Sequence, residues 1–312
     1  MNKPVKVFAP ATVANLACGF DVLGLAVEQP GDFVTIWGNE SGSVQVESIS
    51  GDDGQLPLET SKNTAGVAVS AMLNHLGMQH VGISIAIEKH MPLGSGLGSS
   101  AASSVAAVLA LNEFLGKPFS KKIDLLPFAI EAERIACGAA HADNVAPALL
   151  GGIVLIKSYN PLLVINLPVP ADLHVAIVHP QVEVKTSDAR QILKKEIPIH
   201  KAIDQWGNVA GLVAGLYRSD YELIGASLQD VVFEPVRKLL IPGFDEVKKE
   251  AMAQGALGCS ISGSGPSIFA MYTKAELGPA IINGMKIVFE RYGVASEGYI
   301  SKVNERGSRI IE

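Results

Sequence analysis

Val81, Ile83, Ile85 and Ile87 alternate with the small or polar residues Gly82, Ser84, Ala86 and Glu88. That period of two predicts a strand with unlike faces. The pattern breaks at Pro92, where nine residues run to Ser100 with glycine at every second position from Gly94 to Gly98. An Ala-rich run from Ala101 to Leu115 then predicts a helix, closed by Gly116. Before this unit, Val5 and Val7, Phe33 to Trp37, and Val44 and Val46 read as short strands separated by Gly, Asp and Ser turns. Lys62 to Leu76 reads as a helix with Gly77 at its left-handed C-cap, and another helix runs from Ser120 to about Cys137.

Beyond Gly151 the apolar runs Ile153–Ile156, Leu162–Leu167 and Leu173–Val178 predict strands. Helices are expected at Thr186–Lys195, Ile203–Tyr217, Glu222–Val232, Asp245–Gln254 and Ala275–Tyr292, and strands at Ser267–Tyr272 and Gly298–Val303. Strands interleaved with helices indicate a mixed α/β or α+β architecture in two parts. Pro168 and Pro170 mark the crossing, which divides the chain into domains at 1–168 and 169–312.

Composition narrows the class. The 312 residues are 48% hydrophobic and 18% charged, which excludes a disordered or collagen-like chain. A net charge of -6 leaves no basic excess to neutralise phosphates, so nucleic acid is not an expected partner. No apolar stretch approaches the roughly 18–20 residues of a membrane span. The start, MNKPVKVFAP, lacks the apolar core of a signal peptide. Cys18, Cys137 and Cys259 are far apart, without a CxxC pair, which argues against a disulfide framework or zinc site. The expected location is the cytoplasm.

The segment Pro92-Leu93-Gly94-Ser95-Gly96-Leu97-Gly98-Ser99-Ser100-Ala101-Ala102, between strand and helix, carries the candidate chemistry. Glycines let backbone approach a ligand closely, and successive N–H groups can line a concavity for anionic oxygens. The helix adds unpaired N–H groups and its positive dipole end. The plainer alternative is a tight turn with a serine N-cap. A Walker A loop is excluded, because no lysine lies between Lys89 and Lys117. Gly96-x-Gly98-x-x-Ala101 fits a loose dinucleotide fingerprint, yet Glu113, the nearest acid, falls inside the helix. No GxSxG elbow supports a serine hydrolase.

A second glycine segment, Gly263-Ser264-Gly265, precedes a strand and suggests a bipartite nucleotide site, or a mere hairpin. Glu133 could reach a cation held by the first loop, since Mg²⁺ accepts one or two protein oxygens beside phosphate and water. It could equally be a solvated helix residue. His141 stands beside Asp143 and Asn144 in an expected turn. Thr186 and Arg190 share one helix face, and Arg237 follows Glu234-Pro235-Val236. Arginine pairs bidentately with carboxylates, although a lone arginine usually serves solubility.

The glycine loop resembles the ATP-binding motif of the GHMP kinases. Within that superfamily the chain is similar to the homoserine branch, through Ala11-Thr-Val-Ala-Asn15-Leu-Ala-Cys-Gly-Phe-Asp21, His141-Ala-Asp-Asn-Val-Ala-Pro147, Glu234-Pro-Val-Arg237 with Ile241-Pro242, and Ile261-Ser-Gly-Ser-Gly-Pro-Ser267. The resemblance implies a two-domain fold, with a mixed βαβ domain holding the ATP loop and a ferredoxin-like α/β domain after it. It implies ATP-dependent phosphorylation of the side-chain hydroxyl of L-homoserine to O-phospho-L-homoserine, on the route to threonine. By that resemblance Ser100 and Glu133 hold Mg²⁺, while Asn15, Asp21, His141, Asn144, Thr186, Arg190 and Arg237 line the amino-acid site. A homodimer is expected from the resemblance alone.

The base is the open question. Other GHMP kinases are thought to use an Asp with a nearby Lys. Asp143 has a plausible position, but no lysine is near it in sequence. The homoserine branch is proposed to dispense with a base, Asn144 orienting the hydroxyl. Two other classes stand as rivals: a nicotinamide-dependent oxidoreductase using the same loop, and a non-catalytic amino-acid or nucleotide sensor.

Overall fold

The computed structural model describes residues 3–138 and 142–311, so His141 lies outside the described residues. The chain runs β1 (Val5–Ala14), β2 (Leu23–Gly38), β3 (Val44–Ser50), α1 (Thr64–His75), β4 (Ile83–Glu88), α2 (Ser99–Phe114) and α3 (Leu126–Cys137). α4 (Ala142–Leu150), β5 (Ile153–Tyr159), β6 (Leu162–Leu167), β7 (His174–Pro180), α5 (Thr186–Gln191), α6 (Ile199–Arg218) and α7 (Tyr221–Ser227) follow. α8 (Glu234–Arg237), α9 (Phe244–Ala253), β8 (Gly258–Ile261), β9 (Ile268–Tyr272), α10 (Gly278–Arg291), β10 (Ser296–Lys302) and β11 (Arg309–Ile310) complete it.

The first sheet has seven strands, ordered β11-β1-β2-β4-β3, with β5 on β2 and β6 on β5. β2 is long enough to serve two neighbours on one edge. Leu23–Leu25 pair with β5, and Phe33–Gly38 pair with β4. Pro10 interrupts β1 where its register on β2 shifts, as expected for a residue with no N–H to give a ladder. α2 packs on β1 and β2 beneath α1, α3 and α4. From Ser99 to Asn112 every residue of α2 is buried except Ser100. Small alanines allow this close approach on all sides, and the one residue left uncovered faces the functional cleft.

The second sheet orders its four strands β10-β7-β9-β8, all antiparallel. Numbered within this unit, that is 4-1-3-2, the ferredoxin-like order the sequence implied. Its strands alternate faces. Val175, Ile177, Phe269 and Met271 join the core shared with the first sheet, while Ala176, Val178, Ile268, Ala270 and Tyr272 pack with α9 and α10. The first sheet ends with β6 at Leu167 and the second begins with β7 at His174. The chain end then returns to the first sheet, where β11 pairs with β1.

Several elements differ from expectation for local reasons. Asp143 and Asn144 lie in helix α4, not in a turn, despite Pro147 inside it. Pro147 lacks the N–H that would bond the Asp143 carbonyl, and that carbonyl instead lies against Gly24 of β2, where a Cβ would sit 1.8 Å away. The helix expected over Glu222–Val232 stops at Ser227, because Asp230 then gathers the N–H groups of Val232, Phe233 and Glu234 at 2.8–2.9 Å and starts α8. α5 ends at Gln191 rather than Lys195, and α6 starts four residues early, directly after Pro198. The oxidoreductase alternative fails on topology. A dinucleotide fold needs a parallel strand after the loop's helix, whereas α2 leads into α3.

Burial pushes the thiols of Cys18 and Cys259 up to about 12, so neither is a nucleophile at neutral pH. Among the described residues, no helix is long and apolar enough to cross a membrane.

Candidate functional site

One cleft between the two sheets gathers most of the residues singled out in the sequence. Asn15, Asp21, Gly94, Ser95, Gly96, Gly98, Ser99, Ser100, Ala101, Glu133, Asp143, Asn144, Thr186, Arg190, Arg237, Gly263 and Ser264 all line it. Pro92, Leu93, Leu97, Ala102 and Gly265 belong to the same segments without lining the cleft. Leu97 and Ala102 are buried behind it.

The glycine loop needs its glycines. Gly94, Gly96 and Gly98 have φ of 62°, 76° and 70°, in the left-handed region. Gly96 also has no room for a side chain, since a Cβ would lie 2.4 Å from the Ser262 carbonyl oxygen. Gly263 to Gly265 therefore form the wall on which the first loop leans. Ser262 Oγ donates to the Gly96 carbonyl at 2.7 Å, and Ser267 N donates to the Ser95 carbonyl at 3.1 Å. Thr12 N ties the Leu97 carbonyl to β1 at 3.0 Å. The loop so held delivers its backbone to the N-terminus of α2, where the first-turn N–H groups and the dipole favour an anion.

At the first turn of α2, Ser100 Oγ donates to Glu133 Oε1 at 2.5 Å. Glu133 is 3% exposed, so the solvated-helix alternative does not describe it. A hydroxyl and a carboxylate beside a helix N-terminus are a donor set that fits an oxygen-seeking divalent cation completed by phosphate oxygens and water. Among the described residues, no group of three or more His, Cys, Asp or Glu forms an all-protein metal cage.

Charged side chains of both signs also stand together in the cleft. Arg190 forks onto Asp21, with Nη1–Oδ2 at 3.1 Å and Nη2–Oδ1 at 2.8 Å. Asn15 positions this loop, accepting from Asp21 N at 3.0 Å and donating to the Gly263 carbonyl at 2.9 Å. Asn15, Leu16, Ala17 and Asp21 all have positive φ, and strain of this kind collects at functional sites. Arg237 is buried, donating to the carbonyls of Ala189 at 3.2 Å and Gly263 at 2.9 Å. Burial, and secondarily the charge of Arg190, pushes the Arg237 guanidinium below its usual range. Thr186 Oγ1 meets Ser264 Oγ at 3.3 Å, joining α5 to the second glycine segment.

Two contributors escaped the sequence reading. Phe20 lies under Arg237 at 4.8 Å and Arg190 at 5.7 Å, and stacks on Phe233 at 3.8 Å between centroids. Its place between Gly19 and Asp21 was the available signal. Thr12 Oγ1 donates to Asn144 Oδ1 at 2.7 Å, which turns the amide N–H₂ of Asn144 to other partners. Those two residues are 132 positions apart, and no local pattern links them.

Residues 63–152 match the family model of the GHMP kinases N terminal domain, and residues 212–291 match that of the GHMP kinases C terminal. A homoserine kinase of Chlorobium phaeovibrioides is 50% identical, over 99% of this chain and 100% of its own. The crystal structure of a homoserine kinase from Cytophaga hutchinsonii superimposes with a TM-score of 0.97 at 56% identity, covering 100% of this chain and 98% of that one. An L. major mevalonate kinase, solved with R-mevalonate, shares the fold at 18% identity and a TM-score of 0.71, over 97% and 99% of the two chains.

Proposed function

The chain belongs to the homoserine kinases of the GHMP kinase superfamily, and from that premise we propose how its cleft performs the reaction. The enzyme phosphorylates the side-chain hydroxyl of L-homoserine to O-phospho-L-homoserine, a step of threonine biosynthesis, with ATP as donor. The observation that carries the assignment of residues is the cleft itself. It brings the N-terminus of α2, a forked Asp–Arg pair and Asn144 to one cleft.

The N–H groups of residues 94–100 and the α2 dipole hold the nucleotide's phosphates. Ser100 and Glu133 would hold Mg²⁺, which would neutralise phosphate charge. Asp21 takes the substrate ammonium, and Arg190 and Arg237 take its carboxylate, so the hydroxyl end points towards the loop. Phe20 fixes the planes of both guanidinium groups. Asn144, oriented by Thr12, gives its N–H₂ to the reacting hydroxyl.

Phosphoryl transfer chiefly needs positioning and charge stabilisation, both of which this arrangement supplies. No lysine is among the described residues lining the cleft to pair with Asp143 as a base. That favours the version in which Asn144 orients the hydroxyl and its proton passes to the transferred phosphate. A cytoplasmic enzyme acting as a homodimer belongs to the same reading. Mixing the chain with Mg-ATP and following ADP tests it. Release dependent on L-homoserine supports the reading, and no release refutes it.

A further inference from the structure

Asp32 lies on β2 and Lys89 directly follows β4, and their side chains are 0% and 1% exposed. Neither lines the cleft. Asp32 Oδ1 accepts from the backbone N–H of His90 at 2.7 Å and of Met91 at 3.1 Å. Its Oδ2 accepts from Ser99 Oγ at 3.0 Å and pairs with Lys89 Nζ. Lys89 Nζ donates further to the Ser99 carbonyl and to Ser103 Oγ, each at 2.9 Å.

His90 and Met91 are the last residues before the glycine loop, and Ser99 is the first residue of α2 after it. A single carboxylate therefore fastens both ends of the loop, and the lysine fastens the same point to the next turn of α2. A loop with three left-handed glycines has little stiffness of its own. Stability alone does not account for the device, because a buried ion pair can often be exchanged for apolar residues at no loss. Burial pushes the Lys89 ammonium down, and the Asp32 charge opposes that shift. Backbone donors aimed at phosphate are effective only when their positions are fixed beforehand.

We infer that Asp32, braced by Lys89, is a positioning residue that sets the span of the glycine loop and through it the affinity for nucleotide phosphates. This rests on the reading of the loop as the ATP site. The test compares the intact enzyme with the double variant Asp32→Asn/Lys89→Met, which removes both charges while nearly keeping shape. Calorimetric binding of Mg-ADP and the KM values for both substrates are measured, with thermal melting as the control.

The expected result is a folded protein whose Mg-ADP Kd and ATP KM rise about tenfold or more, the loss of hydrogen bonds to a charged group. The homoserine KM should stay within about twofold, since neither Asp32 nor Lys89 touches the residues proposed to hold that substrate. Ser103→Ala, which removes one brace of Lys89 outside the cleft, should weaken Mg-ADP about two- to fivefold. Unchanged Mg-ADP affinity in the folded double variant overturns the inference, as does an equal rise in both KM values. If the double variant does not fold, Ser103→Ala decides, and wild-type affinity there overturns it. Mg-ADP binding without any turnover of homoserine by the unmodified chain would instead refute the functional reading and leave this one open to the same comparison.

Discussion

Arg190 holds both carboxylate oxygens of Asp21 across 169 residues of chain, although the two side chains are 33% and 36% exposed. An ion pair this wet contributes only about 0–1 kcal/mol, so an incoming ligand can replace it at little cost. A free amino acid is a ligand of that kind. Its carboxylate satisfies the arginine and its ammonium the aspartate. Asp21→Asn should raise the homoserine KM about 10- to 100-fold, leave the ATP KM nearly unchanged, and shift Tm by no more than about 2 °C. Steady-state kinetics with each substrate varied in turn check this.

The Ser100–Glu133 contact is where the proposed reading places the cation. Glu133→Gln and Ser100→Ala should each raise the Mg²⁺ concentration for half-maximal rate, and Glu133→Gln should lower kcat by about 10²–10³. The homoserine affinity measured by calorimetry should hardly move. A Mg²⁺ titration identical to wild type in both variants would remove them from the metal site.

Gly96 and Gly94 separate a packing requirement from a conformational one. Both have positive φ, but a Cβ on Gly94 meets nothing within 4 Å, while one on Gly96 meets the Ser262 and Gly265 carbonyl oxygens at 2.4 and 2.8 Å. Gly94→Ala should cost about 1–2 kcal/mol in a denaturant melt and keep most activity. Gly96→Ala must displace backbone of the second glycine segment, so it should cost more than about 3 kcal/mol and abolish ATP binding.

The strand, glycine loop and helix around Ser99 were legible because the hydrophobic period changes there and glycine punctuates the change. The same reading missed helix α4, since Pro147 and the polar run before it look like a turn. Gly24, more than a hundred residues earlier, makes room for the Asp143 carbonyl. The end of α7 was overrun for a similar reason. Asp230 restarts the chain through side-chain bonds that hydrophobic periodicity does not register. Within the cleft, the residue types with obvious chemistry that the sequence singles out stand together, and the groups that contact them are not singled out. Thr12, Phe20 and Asp32 act through partners on other elements, so their roles exist only in the folded chain.

Asn144 and Asp143 are neighbours on α4 with different expected weights. If no general base operates, Asp143→Asn should lower kcat only about tenfold, against the 10²–10⁴ lost with a true base. Thr12→Val, which frees the Asn144 amide to rotate, should lower kcat about tenfold while Thr12→Ser retains activity. The two kcat values, measured at saturating homoserine and Mg-ATP, distinguish a base from an orienting amide.

The most direct measurement gives the unmodified chain Mg-ATP with L-homoserine, mevalonate, galactose and shikimate in separate reactions, follows ADP, and identifies products by ³¹P NMR. A site that pairs the ammonium and carboxylate of its substrate should reject acceptors lacking them. The expected kcat/KM for homoserine is therefore at least about 10³ above every other acceptor, with a phosphate monoester on the homoserine side-chain oxygen as product. Comparable rates with an acceptor that is not an amino acid, or no phosphorylated homoserine at all, would contradict the account.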